Sequence, residues 1–339
     1  MRLRPRVRLH VLTGFLGSGK STLLRRYLHG SANAGRTAVL INEYGKVAID
    51  HVLVSAVSPL SQAIAGGCAC CTVDDALRQA LVEILAAGER DPETAVTDIV
   101  FETSGLADPS RIIGTILGDR DLAEYLEVSN CITTVEAGSD TDVLERFPEA
   151  RNQIACANRI VLTKADLSAA GEAARTAERL KQMNPLALVT SSNDDFDLAA
   201  PIEEPRSAFP ADAVPAPVVH SQGLETFHVE IDRHMMWPMF SVWLTAVMHR
   251  HGSSILRFKG VIPLGRADRA LVLQSVRHRV SVPEHLQWTQ EQKDPFGLVF
   301  ICEGNYERRI RESLSAFASL GISSALQLHF LRAAHKLCT

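Results

Sequence analysis

The sequence predicts an α/β protein, a P-loop nucleotidase with a doubly wound, mostly parallel sheet, followed by a smaller α+β domain. Three observations predict this fold class. A glycine-rich loop, G-x-x-x-x-G-K-S, spans Gly14–Ser21 between an apolar run and a helix-like segment. Apolar runs alternate with helix-like segments from Val7 to about Thr190. A proline-rich stretch then separates this half from a region that is richer in strands.

Apolar runs in the first half predict buried parallel strands. Most are rich in Val, Ile and Leu without alternating polar residues, as expected where helices cover both faces of a sheet. The predicted strands are Val7–Thr13, Thr37–Asn42, Thr97–Glu102, Glu127–Val135, Arg159–Thr163 and Leu186–Thr190. The predicted helices are Ser21–His29, Asp74–Ala87, Ser110–Leu117, Asp142–Cys156 and Ala169–Met183, with Asp74 and Ser110 as N-caps. Ligand chemistry is therefore expected at the carboxyl ends of the strands.

A change of composition predicts two domains joined by a linker. The linker prolines are Pro201, Pro205, Pro210, Pro215 and Pro217. We assign residues 1–192 to the P-loop domain, 193–221 to the linker and 222–339 to the α+β domain. The second domain has predicted strands at Leu224–Ile231, Ser254–Val261, Ala270–Gln274, Arg277–Val282 and Gly297–Cys302, and predicted helices at Met239–His249 and Glu307–Leu320.

Composition limits the classes of partner. The chain has 339 residues and a formal net charge of −4, which argues against a generally basic surface for nucleic acid. No run approaches the ~20 apolar residues of a membrane span. The basic N-terminus is not followed by an apolar segment of the signal-peptide type. We therefore expect a soluble, cytoplasmic protein that binds neither nucleic acid nor membrane.

The glycine-rich loop predicts phosphate binding. Glycines allow backbone N–H groups to turn towards phosphate oxygens, and the following helix adds the positive end of its dipole. Lys20 is then expected to reach the β- and γ-phosphates, and the Ser21 hydroxyl to bind Mg²⁺. The alternative is a glycine turn that happens to end in Lys-Ser.

The segment Asp98–Gly105 ends a buried strand with a carboxylate and then a glycine. Glu102 is in the place where a nucleotidase needs a group for Mg²⁺, either directly or through water. The Gly105 N–H is placed to sense the γ-phosphate. The alternative is a strand that simply ends in a polar turn.

The segment Thr163–Asp166 reads T-K-x-D and favours guanine over adenine. Asp166 can accept hydrogen bonds from guanine N1 and N2, which adenine does not offer, and the Lys164 stem can lie along the base. Thr163 stands where the N-K-x-D signature has an amide. The alternative is a charged helix start.

The segment Asn42–Asp50 closes the second strand and is a candidate switch loop. Glu43 or Asp50 could contact the magnesium shell or the attacking water. The alternative is a solvated loop, and spacing alone does not exclude it.

Three of the seven cysteines, Cys68, Cys70 and Cys71, follow a pair of glycines. Thiols this close cannot connect distant parts of a fold, and in a reducing compartment they favour metal binding or redox chemistry. Thiolates select Zn²⁺, Cu⁺ or similar ions, and three of them need a fourth ligand from elsewhere. The alternative is a packed or redox-active thiol cluster.

Taken together, these segments resemble the CobW family of P-loop GTPases. The family signature is matched in order and spacing at Gly14–Leu24, Asn42–Gly45, Gly67–Cys71, Glu102–Pro109 and Thr163–Asp166. The second half resembles the family's C-terminal domain at Trp243-Leu244, Ile255–Gly260, Ser275–His278 and Trp288. The resemblance covers nearly the whole chain.

The resemblance implies a GTP-hydrolysing metallochaperone or metal-insertion factor. Its cofactors would be GTP or GDP, Mg²⁺, and Zn²⁺ or Co²⁺ as the metal delivered to a client metalloprotein or cofactor-synthesis enzyme. Dimerisation across the nucleotide face, common in this class, would be possible. The implied catalytic residues are Lys20, Glu43 and Glu102. The implied nucleotide-binding residues are Gly14, Gly17, Ser18, Gly19, Lys20, Ser21, Thr22, Gly105, Thr163, Lys164 and Asp166. The implied metal ligands are Ser21 and Glu102 for Mg²⁺ and Cys68, Cys70 and Cys71 for the cargo.

Two departures from the family pattern and two rival functions remain. Lys46 stands where many relatives have an acidic residue, and the histidines of the second half are scattered rather than clustered.

A small-molecule kinase with incidental thiols, or a non-catalytic metal-binding scaffold, would also use a phosphate loop. We see no clear glutamine or arginine finger, so we expect slow intrinsic hydrolysis and acceleration by a partner.

Overall fold

The computed structural model describes residues 6–30, 36–44, 61–66, 70–91, 95–139, 141–192, 198–199, 218–219, 223–232, 235–263, 269–277, 279–281, 283–287 and 296–319. The chain divides into two compact units, Met1–Glu203 and Glu204–Thr339. Among the described residues, no helix is long and apolar enough to cross a membrane.

The first unit alternates strands and helices along the chain. Its strands are β1 (Val7–Gly14), β2 (Thr37–Tyr44), β3 (Ser61–Gly66), β4 (Asp98–Glu102), β5 (Leu126–Glu136), β6 (Arg159–Thr163) and β7 (Leu188–Ser191). Its helices are α1 (Lys20–Gly30), α2 (Cys70–Arg90), α3 (Pro109–Gly118), α4 (Arg120–Tyr125), α5 (Thr141–Arg146), α6 (Pro148–Cys156) and α7 (Glu172–Met183).

The seven strands form one parallel sheet in the order β3-β2-β4-β1-β5-β6-β7. The chain therefore leaves β1 towards one side of the sheet and later returns to its other side, which confirms the predicted doubly wound fold. In such folds the ligand crevice opens at the carboxyl end of the strand where the order reverses. The strand at this point is β1, and Gly14 is its last residue.

Helices cover both faces of this sheet. Leu9, Leu40 and Phe101 pack on one face with side chains of α2 and α3, and all three are fully buried. On the other face Leu12 and Val100 pack with α1 and with residues 198–199. Because both faces are apolar, the strands lack the alternation that a half-exposed sheet would show.

The structure corrects several predicted element boundaries. The predicted helix Asp142–Cys156 is two helices, because Pro148 lacks an N–H group and instead opens α6. The predicted caps are also wrong. Asp74 lies inside α2, which begins at Cys70, and α3 is capped by Asp108, whose Oδ1 accepts from the Ser110 N–H. Strand β3 and helix α4 were not predicted, since each is a single short segment of six residues.

The described residues of the second unit form an antiparallel sheet and two helices. Its strands are β8 (Val218–Val219), β9 (Leu224–Glu230), β10 (Ile255–Pro263), β11 (Arg269–Val276), β12 (Arg279–Val280), β13 (Glu284–Gln287) and β14 (Gly297–Glu303), and its helices are α8 (Trp237–His251) and α9 (Glu307–Ser319). The strand order is β12-β11-β10-β14-β9-β8, with β13 paired to β11. Trp243 of α8 and Ile310 of α9 are buried in one core with Phe258 and Phe300. This arrangement confirms the predicted α+β class.

Candidate nucleotide site

The loop between β1 and α1 has the backbone of a phosphate cradle. Gly14, Gly17 and Gly19 have φ angles of 145°, 72° and 89°, a region that favours glycine. A methyl group at Gly14 would lie 2.3 Å from Thr134 Oγ1 and 2.6 Å from Ser18 Oγ, so only glycine fits there. Ser18 and Thr134 are themselves joined by a hydrogen bond of 2.7 Å between their hydroxyl groups. The loop is thus tied to the end of β5.

Lys20 folds back over this loop. Its Nζ donates to the carbonyl oxygens of Gly14 at 2.9 Å and Phe15 at 3.3 Å. An ammonium group held across the loop in this way is placed to meet the phosphate oxygens of a bound nucleotide. The geometry suits the role predicted for this lysine.

Ser21 and Glu102 form the oxygen pair that Mg²⁺ would need. The Ser21 hydroxyl donates to Glu102 Oε1 at 2.7 Å, and the Glu102 side chain is nearly fully buried. A hydroxyl and a carboxylate are hard oxygen donors, and Mg²⁺ at nucleotide sites is usually held by one or two such groups together with phosphates. The residues present therefore fit this ion.

A cavity of about 680 Å³ opens over the loop. Its lining includes the predicted residues Gly17, Gly19, Lys20, Ser21, Thr22, Glu102, Gly105 and Lys164. The strand ends are held together beneath it, since the Thr103 hydroxyl donates to Thr13 Oγ1 at 2.9 Å. Eight residues from three separated segments thus surround one space of the size of a small-molecule site.

The T-K-x-D segment lies beside the loop. Thr163 Oγ1 donates to the Ser18 carbonyl at 2.7 Å, so this hydroxyl supports the phosphate loop. Lys164 has a left-handed backbone with φ of 57°, and its Nζ contacts Glu136 Oε2 at 2.7 Å. Asp166 is exposed. Backbone conformations that side chains rarely adopt tend to occur at functional sites, which fits a base-binding segment.

The predicted cargo-metal residues are only partly described. Cys68, Lys46 and Asp50 lie outside the described residues, and for Glu43, Cys70 and Cys71 the structure describes the backbone alone. Among the described side chains no group of three His, Cys, Asp or Glu residues could hold a metal ion.

The described backbone on the two sides of residues 67–69 is that of β3 and α2. Strand β3 runs parallel to β2, with Tyr44 opposite Gly66, and α2 begins four residues later at Cys70. In the same parallel sheet Ile41 lies opposite Glu102. Neighbouring strands are about 4.8 Å apart, so β3 ends two strand widths, or roughly 10 Å, from β4.

Two contributors to the site were not predicted. Thr134 holds the phosphate loop from β5, and Gln153 of α6 donates through Nε2 to the carbonyl oxygens of Gly105 and Ala107. The pair Thr133-Thr134 at the end of an apolar strand was a usable signal. Gln153 carried none, because a glutamine in an amphipathic helix is normally exposed.

The second unit contributes no comparable cluster within the ranges that the structure describes. His228 is nearly fully buried beside Gly297, where a methyl group would lie 2.1 Å from its Nε2. Burial lowers the pKa of His228, against the opposing effect of the Glu230 carboxylate. Burial likewise lowers the pKa of His251, and the neighbouring Arg250 lowers it further.

A phosphate loop at the switch point of a doubly wound parallel sheet, with a buried carboxylate ending the adjacent strand, defines a P-loop GTPase. Residues 8–191 match the family described as CobW/HypB/UreG, nucleotide-binding domain, and residues 224–318 match the cobalamin synthesis protein cobW C-terminal domain. The chain belongs to this CobW family, as its sequence predicted.

Two zinc chaperones match along nearly the full length of the chain. The zinc chaperone YjiA of Escherichia coli is 31% identical over 325 residues, covering 91% of this chain and 97% of that protein. The zinc chaperone CobW of Pseudomonas aeruginosa is 25% identical over 343 residues, covering 89% and 88%. The crystal structure of the Zn(II)-bound YjiA GTPase from E. coli superposes with a TM-score of 0.69 at 25% identity, covering 93% of this chain and 99% of that one.

Proposed function

We propose that this protein is a GTP-hydrolysing metallochaperone that carries zinc, or alternatively cobalt, on Cys68, Cys70 and Cys71. It would deliver the metal to a client metalloprotein or a cofactor-synthesis enzyme. The observation that carries the proposal is the register of the sheet. Strand β3 ends beside β2, and the chain then enters the cysteine segment at the same sheet edge as the phosphate loop. The zinc chaperones among the relatives support zinc as the cargo.

In this proposal the phosphate loop and its neighbours bind the nucleotide. Backbone N–H groups of the glycine-rich loop and the Lys20 amine neutralise the phosphates, and Asp166 reads guanine. Ser21 and Glu102 would hold Mg²⁺. The bound ion would neutralise negative charge on the phosphate oxygens. Glu43 acts on the magnesium shell or on the attacking water.

Nucleotide and metal would be coupled through the loops between them. Strands β2 and β4 both reach the cavity, which Asn42 and Glu102 line, and β3 is the neighbour of β2 in the sheet. A loop that orders around the γ-phosphate can therefore change the metal site. Allosteric couplings are commonly about 1–3 kcal/mol, and bound metal must then shift nucleotide affinity by the same factor.

We also propose residues 1–192 as the GTPase domain, 193–221 as a linker and 222–339 as the CobW-type C-terminal domain. The two family matches, at 8–191 and 224–318, support these bounds. We further propose a nucleotide-dependent homodimer. The molecular mass of the complex with the GTP analogue, measured in solution, would test it.

The test is a metal titration of reduced, anaerobic, full-length protein. Zn²⁺ and Co²⁺ affinities are compared in GDP and in a non-hydrolysable GTP analogue, for the wild type, Cys70→Ala and Cys302→Ala. The third protein is a matched control, because burial raises the pKa of the Cys302 thiol and keeps it protonated.

We expect stoichiometric binding whose affinity differs between the two nucleotides by about five- to 150-fold. The difference should vanish in Cys70→Ala and persist in Cys302→Ala. Equal metal affinity in both nucleotides, with no hydrolysis beside any client, would favour a metal-binding scaffold. A preference for ATP and turnover that needs a hydroxyl acceptor would favour a kinase. Intrinsic GTP hydrolysis at tens per second, as in partner-stimulated GTPases, would contradict the expected slow turnover.

A further inference from the structure

The loop that follows β4, residues 103–108, is held by Gln153 of α6, which does not line the 680 Å³ cavity over the phosphate loop. Gln153 lines a second cavity of about 390 Å³ together with Leu16 and Ser18. Gln153 of α6 is 1% exposed. Its Nε2 donates to the carbonyl oxygen of Gly105 at 3.1 Å and to that of Ala107 at 3.0 Å. Both donors of the amide are therefore directed at one loop. A flipped amide would place its oxygen against two carbonyl oxygens, so the hydrogen-bond network determines the orientation.

The backbone of Gln153 is tied to the sheet. The Thr133 hydroxyl on β5 donates to the Gln153 carbonyl at 2.7 Å. The next residue, Ile154, is buried as well. Gln153 thus links β5 to the 103–108 loop. Its main-chain carbonyl accepts from β5, and its side-chain amide donates to the loop.

The held loop lies directly against the phosphate loop. A methyl group at Gly105 would lie 2.6 Å from Leu16 Cδ2 and 2.9 Å from Leu16 N. Gly105 also lines the cavity together with Lys20 and Ser21. Releasing the carbonyl oxygens of residues 105 and 107 would let this glycine move away from the place where a terminal phosphate would sit.

Packing alone does not account for a glutamine at this position. Its Oε1 is buried and has no hydrogen-bond partner among the described residues. Burying an amide oxygen without a partner is unfavourable, and leucine would fill a similar volume without that cost. The two hydrogen bonds that the amide makes both go to the loop.

We propose that Gln153 is a positioning residue for the γ-phosphate, which holds Gly105 against Leu16 so that the 103–108 loop favours a nucleoside triphosphate over a diphosphate. This inference rests on the proposed guanine-nucleotide function. Gln153 acts through the Gly105 backbone and does not itself contact the nucleotide.

The test compares full-length wild type, Gln153→Leu and Gln153→Met, which both remove the donors at nearly constant volume. Affinities for GDP and for a non-hydrolysable GTP analogue are measured with Mg²⁺. We expect the analogue affinity to fall about tenfold or more while GDP affinity is unchanged, an ordinary size for a coupling. Gln79→Leu is the matched control, because it makes the same change at an exposed glutamine of α2. In this control the ratio of GTP-analogue affinity to GDP affinity should equal that of the wild type.

An unchanged ratio in both Gln153 variants would overturn the inference, and so would an equal change in Gln79→Leu. If the variants do not fold, hydrogen exchange of the wild type decides. Slower exchange of amides 103–108 in the GTP analogue than in GDP, with slower exchange in α6, supports the inference, and equal exchange overturns it. If the wild type binds no guanine nucleotide, the proposed function is overturned as well. If the wild type distinguishes the GTP analogue from GDP and Gln153→Leu has the same ratio of the two affinities, only this inference is overturned.

Discussion

Ser21 and Glu102 are 81 positions apart in the sequence and form one hydrogen bond at 2.7 Å. Each was identified from its own motif, the hydroxyl after Gly-Lys and the carboxylate at the end of a buried strand. Their contact follows from the register of the sheet, in which Leu12 of β1 lies opposite Glu102 of β4. Burial of Glu102 makes its charge effective, because little water is present to screen it.

Glu102→Gln tests the charge while keeping an oxygen that can accept from Ser21. In Glu102→Gln we expect the affinity for Mg²⁺, measured through its effect on GDP binding, to fall about 10–100-fold. Changes to the groups around a bound metal usually have an effect of this size. Glu178→Gln, the same change on an exposed position of α7, is the control and should behave as wild type. The measurement is GDP affinity across a Mg²⁺ titration, and an unaltered Mg²⁺ dependence in Glu102→Gln would remove this residue from the site.

A second group of polar residues, of which His10, Asp98 and Asn130 are buried, lies at the opposite, amino-terminal edge of the same strands. Asp98 accepts from Arg8 Nη2 and contacts His10 Nε2, each at 2.9 Å, and the Thr97 hydroxyl donates to it at 2.8 Å. Asn130 Nδ2 contacts His10 Nδ1 at 3.1 Å. Burial by itself raises the pKa of Asp98, but the hydrogen bonds from His10, Arg8 and Thr97 outweigh it and lower that pKa below its ordinary value.

This pKa shift predicts how stability depends on pH. A carboxyl whose folded pKa is depressed adds stability above its unfolded pKa, about 3.9, and that stability is lost as the pH falls through the folded pKa. Asp98→Asn should therefore be about 1–3 kcal/mol less stable than wild type at pH 7, since the amide carries no negative charge and leaves one acceptor oxygen for Arg8, His10 and Thr97. Below about pH 4 the difference should shrink. Urea unfolding from pH 7 to pH 2 measures it, and a difference that grows in acid would contradict the assignment.

At the scale of elements, proline and glycine mark where regular structure begins and where strands approach closely. Pro148 divides one predicted helix into α5 and α6, and this division sets the start of the helix that carries Gln153. Gly260 of β10 and Gly297 of β14 meet on adjacent antiparallel strands. A methyl group at Gly260 would lie 1.9 Å from the Gly297 carbonyl oxygen, so the two backbones leave no space for a side chain.

Two glycine-to-alanine changes should have opposite effects. Gly260→Ala should destabilise the protein by about 1–3 kcal/mol or more, because the methyl group meets backbone that cannot move aside. Gly114→Ala is the matched change in α3, where the structure shows no atom within 4 Å of the added methyl group. It should stabilise by about 0.5–1 kcal/mol, since glycine is a poor helix former. Thermal unfolding of both variants measures the effects, and destabilisation by Gly114→Ala would show that α3 is not the helix described.

At the scale of the whole molecule, the two units have separate cores. In the first unit, Leu40 and Phe101 pack beneath α2 and α3. In the second unit, Trp243 and Phe300 belong to a core formed by one face of the antiparallel sheet and the two helices. Only the first unit contains the phosphate loop, so nucleotide should stabilise the two units unequally.

Calorimetry of the full chain should therefore show two transitions. Addition of GDP and Mg²⁺ at about 100 times the dissociation constant should stabilise one of them by about 2.7 kcal/mol. The other transition should move little. A single transition that moves as a whole would show that the two units unfold cooperatively.

Much of the site could be predicted from the sequence because its signals are local. Gly14–Ser21, Glu102 and Thr163–Asp166 each combine a few adjacent residues with an apolar strand, and such combinations depend on backbone conformation and strand burial alone. The structure brings residues of all three segments around one cavity, which Lys20, Glu102 and Lys164 line and Asp166 does not. The fold class followed in the same way from the strand and helix pattern of the first half.

The remaining features depended on contacts between residues far apart in the chain. Strand β3 has too few residues to be distinguished from a loop until it pairs with β2. The partners of Gln153 are about fifty positions away, and nothing in its own neighbourhood indicates that its amide is buried. Local sequence thus determined the motifs and the class of fold. Only the tertiary structure decided which side chains support them, because burial and long-range hydrogen bonds exist only once the sheet has assembled.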